Sequence, residues 1–225
     1  MSLHEEHKAD RKARILAEAR RLIARHGFEG LTMRDVADAA RVSVPTVYNL
    51  VGNKYALVEA LVEEHFADFI SALGAEPPGD GLVEQVLAVW RASHRLLLAT
   101  PAYTRALVHV FLTTEDASPI RRVMDQRSVD MMAETLRAAQ RSGELVSWVD
   151  PVVVSRTMYG IYVHKVIGWA ANEIDDEGLP VFVTLGWALI LLGLARGRTR
   201  ERLESLIRDE QTSAGRLLAS QAKGA

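Results

Sequence analysis

The sequence predicts an all-α protein: a small three-helix N-terminal domain followed by a larger C-terminal helical domain, about nine to ten helices in total. Three observations predict it. Apolar residues recur at helical spacing from end to end, with no convincing period-two alternation of the kind that marks strands. The punctuation belongs to helices, as at Asp150-Pro151, where a capping carboxylate precedes a proline in the first turn. Hydrophobic residues make up 48% of the 225-residue chain and charged residues 25%, ample for a packed core with an ordinary polar surface.

The elements follow in order. A first helix is expected from about Lys8 to His26, with Ile15, Ala19, Leu22, Ile23 and His26 on one face and Gly27 as its stop. Thr32 with Asp35 three residues later fits a capping box, so a second helix starts there, with Val36, Ala37 and Ala40 inward. Ser43 suits the N-cap of a third helix, and Pro45 falls in its first turn, where a missing N–H costs little. Val47 would point inward, leaving Arg41, Ser43, Val44, Thr46 and Asn49 outward. Asn53 caps a longer fourth helix carrying Leu57, Val58, Leu61, Val62, His65, Phe66 and Phe69 on its inner side, and Gly74 to Gly79 break it.

Further helices are expected over 82–100, from Pro101 to about Thr113, and from Ser118 to Ser142-Gly143. Residues 151–173 and 180–196 form an eighth and a ninth, and Arg198 to about Leu218 a tenth.

Residues 32–54 thus read as two short helices across a tight turn with a third beginning after them. This is a helix-turn-helix, which places one helix in the DNA major groove. The wider segment, residues 11–60, resembles the DNA-binding domain of the TetR/AcrR family of bacterial regulators. The resemblance rests on Ile15-Leu16, Leu22-Ile23, Gly27-Phe28, Leu31-Thr32, Val36-Ala37, Ala40, Val42-Ser43, Thr46-Val47-Tyr48, Lys54 and Leu57. Arg41 stands where the family often has glycine, so a positive φ there would carry strain of about 1 kcal/mol. Leu50 and Val51 depart from the family's usual aromatic or histidine and phenylalanine, so its contacts at those two positions do not carry over.

Domains are expected at 1–54 for DNA binding and 55–225 for ligand binding and dimerisation. The candidate DNA-contacting residues are Arg34, Arg41, Ser43, Val44, Pro45, Thr46, Tyr48, Asn49 and Lys54. Asn49 is able to read adenine. Lys54, a cation at a helix start, opposes the helix dipole, a placement that a DNA phosphate would complete. Tyr48 can serve phosphate or base edges, or pack its ring in the small core. Residues 1–54 hold ten Lys/Arg against seven Asp/Glu, whereas the whole chain has a net charge of −2, so the basic excess lies on the motif's side.

The eighth and ninth helices are apolar nearly all round, more than one subunit can cover. Two copies packing as a four-helix bundle would bury the excess, with Trp187 and Leu191 at the interface and Gly186, Gly193 and Gly197 allowing close approach. This matches how the resembled family dimerises, and a dimer suits a palindromic operator. The uncharged run Leu179 to Ala195 is at the short limit for a bilayer, and Arg156 and Lys165 in the preceding helix would be costly in lipid, so no membrane partner is expected.

The resemblance also implies an effector cavity. Phe66, Trp90, His94, Tyr103, Phe111, Met131 and Tyr162 suit a mostly apolar pocket with a few polar groups, though residues of these types also build ordinary cores. The absence of cysteine removes disulfides and thiolate metal sites and fits a reducing cytoplasm. His94, His109 and His164 lack a neighbouring ligand at metal spacing, and no nucleotide-loop, hydrolase or paired-carboxylate motif is present. No cofactor, metal or catalysis is expected. The charged N-terminus predicts no signal peptide.

The reading is therefore a dimeric, ligand-responsive DNA-binding regulator, a repressor released by an apolar small molecule. An activator would use the same parts. The alternative is an all-α small-molecule binding protein or enzyme whose N-terminal bundle serves only as an interaction module.

Overall fold

The computed structural model describes residues 3–76, 79–113 and 118–224. Its ten helices among these residues are α1 (Leu3–His26), α2 (Met33–Ala39), α3 (Val44–Val51), α4 (Lys54–Gly74), α5 (Gly81–Ala99), α6 (Pro101–Thr113), α7 (Ser118–Arg141), α8 (Pro151–Ala170), α9 (Gly178–Leu192) and α10 (Gly197–Gly224). The one extended pairing found among them is a single bridge between Leu145 and Ala195. The all-α class holds. The chain divides into two compact units, residues 1–70 with 96–122 and residues 71–95 with 123–225.

In the first unit α1 packs against α2, α3 and α6. Its core is Ile15, Leu16, Ala19, Ile23, Phe28, Leu31, Val36, Ala37, Ala40, Val47, Leu57 and Leu61, all buried. Helix α1 starts at Leu3, earlier than the sequence pattern indicates. Residues 5–10 are exposed, so no apolar stripe marks this stretch. His26 is exposed rather than inward, at the last turn where the helix frays toward Gly27. A charged knot ties α1 to α4 and α6: Arg20 reaches Glu64 at 2.8 Å and Asp68 at 3.7 Å, and its guanidinium lies 5.8 Å from the centre of the Tyr103 ring.

The second unit is built on α8, α9 and α10, with α9 packed against both neighbours. Asp150 caps α8 through Val152 N–H at 2.8 Å with Pro151 in the first turn, as expected. The helix ends at Ala170 rather than 173, because Asn172 takes a left-handed φ of 62°. Glu173 N–H then bonds to Gly168 O and Asn172 N–H to Trp169 O, closing a Schellman motif.

Helices α8 and α9 are sorted differently from the sequence-based expectation. Trp187 and Leu191 are 6% and 1% exposed inside their own subunit, and Trp187 N–H donates to Met158 O at 2.9 Å. Both are thus buried without a second subunit. The outward apolar residues are Val153, Ile167 and Leu189, at 60%, 43% and 50% exposure. Gly186 does serve close approach, but of α8 to α9 within one chain, since a Cβ there would meet Ile161 at 2.8 Å. A Cβ on Gly193 would meet only its own helix at 3.6 Å, and Gly197 serves a turn at φ 53°. Among the described residues no helix is long and apolar enough to cross a membrane.

Candidate nucleic-acid interface

The turn of the motif is built from backbone first. Helix α2 begins at Thr32, whose Oγ1 accepts Asp35 N–H at 3.1 Å while its hydroxyl donates to the Asp35 carboxylate at 2.5 Å. It ends in a second Schellman motif: Val42 N–H bonds to Ala37 O and Arg41 N–H to Asp38 O. Arg41 occupies the left-handed position at φ 53°, where glycine has no steric penalty. Arg14 Nε donates to Ala40 O at 2.9 Å, bracing the same carbonyl end from α1. Arg41→Gly is therefore expected to raise unfolding stability by about 1 kcal/mol. It should also weaken DNA binding by removing a cation beside the groove. Urea unfolding and duplex titration of one variant would read both effects.

Helix α3 starts at Ser43, whose Oγ accepts Thr46 N–H at 3.3 Å and shares a hydrogen bond with the Thr46 hydroxyl at 2.7 Å. Val47, fully buried, fixes the roll of the helix. Arg34, Arg41, Ser43, Pro45, Tyr48 and Asn49 are exposed, with Val44 and Thr46 half-buried beside them. Tyr48 stands 50% exposed, so its ring is not core. Pro45, Tyr48 and Asn49 are thus exposed on a helix whose Val47 is buried behind them.

Lys54 is half-buried and already engaged. Its Nζ lies 4.4 Å from the centre of the Phe28 ring and donates to Glu29 O at 3.3 Å. Cation–π attraction and this carbonyl explain how a cation is accommodated at the start of α4, where Asn53 Oδ1 caps the N–H groups of Tyr55 and Ala56. An ammonium has three protons, so donors remain for a phosphate.

The expected effector residues are found in different places. Trp90, His94 and Tyr162 come together in the second unit, with Trp187 completing the group. The Trp90 ring stacks on His94 at 5.6 Å and meets Tyr162 and Trp187 edge-on at 5.7 and 6.1 Å. Met131 is half-buried on α7 in the same unit. Phe66, Tyr103 and Phe111 belong to the first unit. There Phe66 packs on Phe69 at 5.9 Å, Tyr103 is buried by the Arg20 knot, and Phe111 O accepts Arg121 Nη1 at 2.7 Å.

Polar tips in the aromatic cluster are paired, with two exceptions. Tyr162 shares a hydrogen bond with Ser93 at 2.8 Å, Tyr159 donates to Asp125 at 2.6 Å, and Trp187 donates to Met158 O. Trp90 Nε1 and His94 Nε2 are buried without a partner. Each unmade bond of this kind costs roughly 1–3 kcal/mol. Burial lowers the His94 pKa, against a smaller opposing pull from Asp176, so the ring is held toward its neutral form. Beside Trp90 a cavity of about 10 Å³, lined by Val83, Val86, Thr184, Trp187, Leu191 and Leu203 among others, is sized for a single water. Trp187 and Ser93 were not singled out as effector residues by their spacing; their roles depend on partners far away in the chain. Among the described residues no three His, Asp or Glu side chains gather as a metal site would require.

An exposed recognition helix on a three-helix base, in a chain with a larger helical body, defines a helix-turn-helix DNA-binding regulator. Residues 15–61 match the family model described as bacterial regulatory proteins, tetR family. It is similar to the HTH-type transcriptional repressor KstR of Mycobacterium tuberculosis, 28% identical over 194 residues, covering 84% of each chain. It is 24% identical to KstR of Rhodococcus jostii over 170 residues, 73% of this chain and 74% of that one. In fold it resembles SmeT, the repressor of the Stenotrophomonas maltophilia multidrug efflux pump SmeDEF. The TM-score is 0.69 at 21% identity, over 84% of this chain and 92% of that one. The protein is a DNA-binding transcriptional regulator and not an enzyme. Regulators of this family act as dimers and typically respond to small-molecule effectors.

Proposed function

We propose that the protein is a cytoplasmic repressor that binds a palindromic operator as a homodimer and leaves it when an apolar small molecule enters the C-terminal region. The observation that carries this reading is the outward surface of α3, with Tyr48, Asn49 and Pro45 exposed above a fully buried Val47. Residues 1–54 supply DNA binding and 55–225 effector binding and dimerisation. Arg34, Arg41, Ser43, Val44, Pro45, Thr46, Tyr48, Asn49 and Lys54 form the DNA surface. The last of these touches phosphate and so positions the motif without reading sequence. Dimerisation runs through α8 and α9, whose outward apolar residues Val153, Ile167 and Leu189 support that assignment.

Regulation would act by population shift, with effector favouring a dimer whose recognition helices miss successive major grooves. Lys54 offers the test of the DNA surface. Its alanine variant should weaken binding to all duplexes alike and reduce the slope of log affinity against log salt by about one unit for each phosphate no longer neutralised. A slope and affinity equal to the parent's would remove Lys54 from the interface.

A further inference from the structure

The aromatic cluster of the second unit is more particular than an apolar wall. Four rings, Trp90, His94, Tyr162 and Trp187, pack within 5.6 to 6.4 Å of one another's centres where they touch. The hydroxyl of Tyr162 and the indole N–H of Trp187 are satisfied inside the protein. Trp90 Nε1 and His94 Nε2, on stacked rings one helical turn apart in α5, are not. Trp90 is 3% exposed, so bulk solvent does not reach its ring. An indole N–H can only donate, while a neutral imidazole nitrogen either donates or accepts according to tautomer. One neutral oxygen suits both.

We propose, resting on the effector reading above, that Trp90 and His94 are the polar recognition pair for the effector. That effector is an uncharged, largely apolar molecule whose single carbonyl or hydroxyl oxygen accepts the Trp90 N–H and pairs with His94 Nε2. An anionic group is disfavoured, because the lining of the cavity beside Trp90 offers it no cation. The cavity beside Trp90, lined by Val83, Val86, Trp187 and Leu191 with the hydroxyl-bearing Thr184 among them, is largely apolar and takes the rest of the molecule. The cavity beside Trp90 admits no more than a water, so the effector must displace side chains of α5 and α9 as it enters. That displacement makes binding and conformation one event.

Two probes of nearly equal shape test the pair: 2-acetylnaphthalene, which carries a carbonyl, and 2-ethylnaphthalene, which does not. Calorimetric titration of the full-length dimer should show the ketone binding about fivefold tighter or more, the worth of one net hydrogen bond. In W90F the preference should fall to near unity while the hydrocarbon binds as before. Nitrogen-15 spectra supply a second readout that needs no variant to fold well. The ketone, and not the hydrocarbon, should shift the Trp90 indole N–H resonance downfield. Equal affinities in the parent, no saturable ketone binding, a preference retained in W90F, or an unmoved indole resonance would each overturn the proposal. Operator binding by the same samples is measured separately. Its loss in the parent would strike the regulator reading, and its presence alongside a failed ketone preference would strike this pair alone.

Discussion

Leu189→Glu is expected to give a folded, helical monomer that has lost specific DNA binding. Leu191→Glu, two residues further on, is expected not to fold. The two side chains differ in placement alone. Leu189 is 50% exposed and stands with Val153 and Ile167 on the outward side of α8 and α9, so a carboxylate there costs the isolated subunit little. In a dimer closed through that surface, twofold symmetry brings the introduced carboxylate of each subunit into the interface, desolvated without a partner. Leu191 is 1% exposed among Trp90, Trp187 and Leu203, where an unpaired charge would cost several kcal/mol, a large fraction of typical domain stability. Sedimentation and circular dichroism of the two variants would separate the cases. A dimeric Leu189→Glu protein would move the interface elsewhere. Loss of the second half-site should weaken operator binding by orders of magnitude, since the two heads no longer bind as one.

The second large effect is expected at Glu144, which joins three elements of the second unit. Its carboxylate accepts the Leu82 N–H at 2.8 Å, the Thr199 hydroxyl at 2.9 Å and the Ser142 hydroxyl at 2.9 Å, while its main-chain oxygen accepts Arg196 N–H at 2.9 Å. It thereby caps the starts of α5 and α10 from the end of α7. Gly81, at φ 82°, is the residue that leaves room: a Cβ there would stand 2.9 Å from a Glu144 oxygen. Glu144→Ala strands these donors and should cost about 3 kcal/mol of unfolding free energy. Burial alone would raise the pKa of this carboxyl, but the bonds from Leu82, Ser142 and Thr199 outweigh it and hold the value below the usual range. The folded state therefore favours the charged form. Its contribution is present above the unfolded pKa of about 4.3 and is lost as pH falls through the lower folded value. Urea midpoints of parent and variant should differ widely at neutral pH and converge in acid. A pH-independent gap would contradict the role of the charge.

Much of this architecture is local and so is legible in the sequence. Thr32, Ser43, Asn53 and Asp150 each act on backbone within three residues, and all four form the caps their positions imply. The glycine-like site at Arg41 is likewise readable, because the family pattern marks a left-handed turn there. What fails is phase. In a helix apolar on every side, periodicity cannot say which residue faces the core, so the burial of Trp187 and Leu191 and the exposure of Leu189 are not legible from spacing. The grouping of the expected effector residues was hidden for a related reason. Side-chain type alone could not show that Trp90, His94 and Tyr162 meet while Tyr103 is enclosed by Arg20. Glu144 left no sequence signal, since Leu82 lies 62 residues before it and Thr199 55 after.

The central claim is that two copies of α3, held by one dimer, read DNA in successive major grooves. Selection of bound sequences from random duplex DNA by the purified protein tests it most directly. The account predicts an enriched inverted repeat with half-site centres about one helical turn apart or a small multiple of it, bound more weakly as salt rises. Enrichment of a single unrepeated site, or no enrichment over the starting pool, would contradict it.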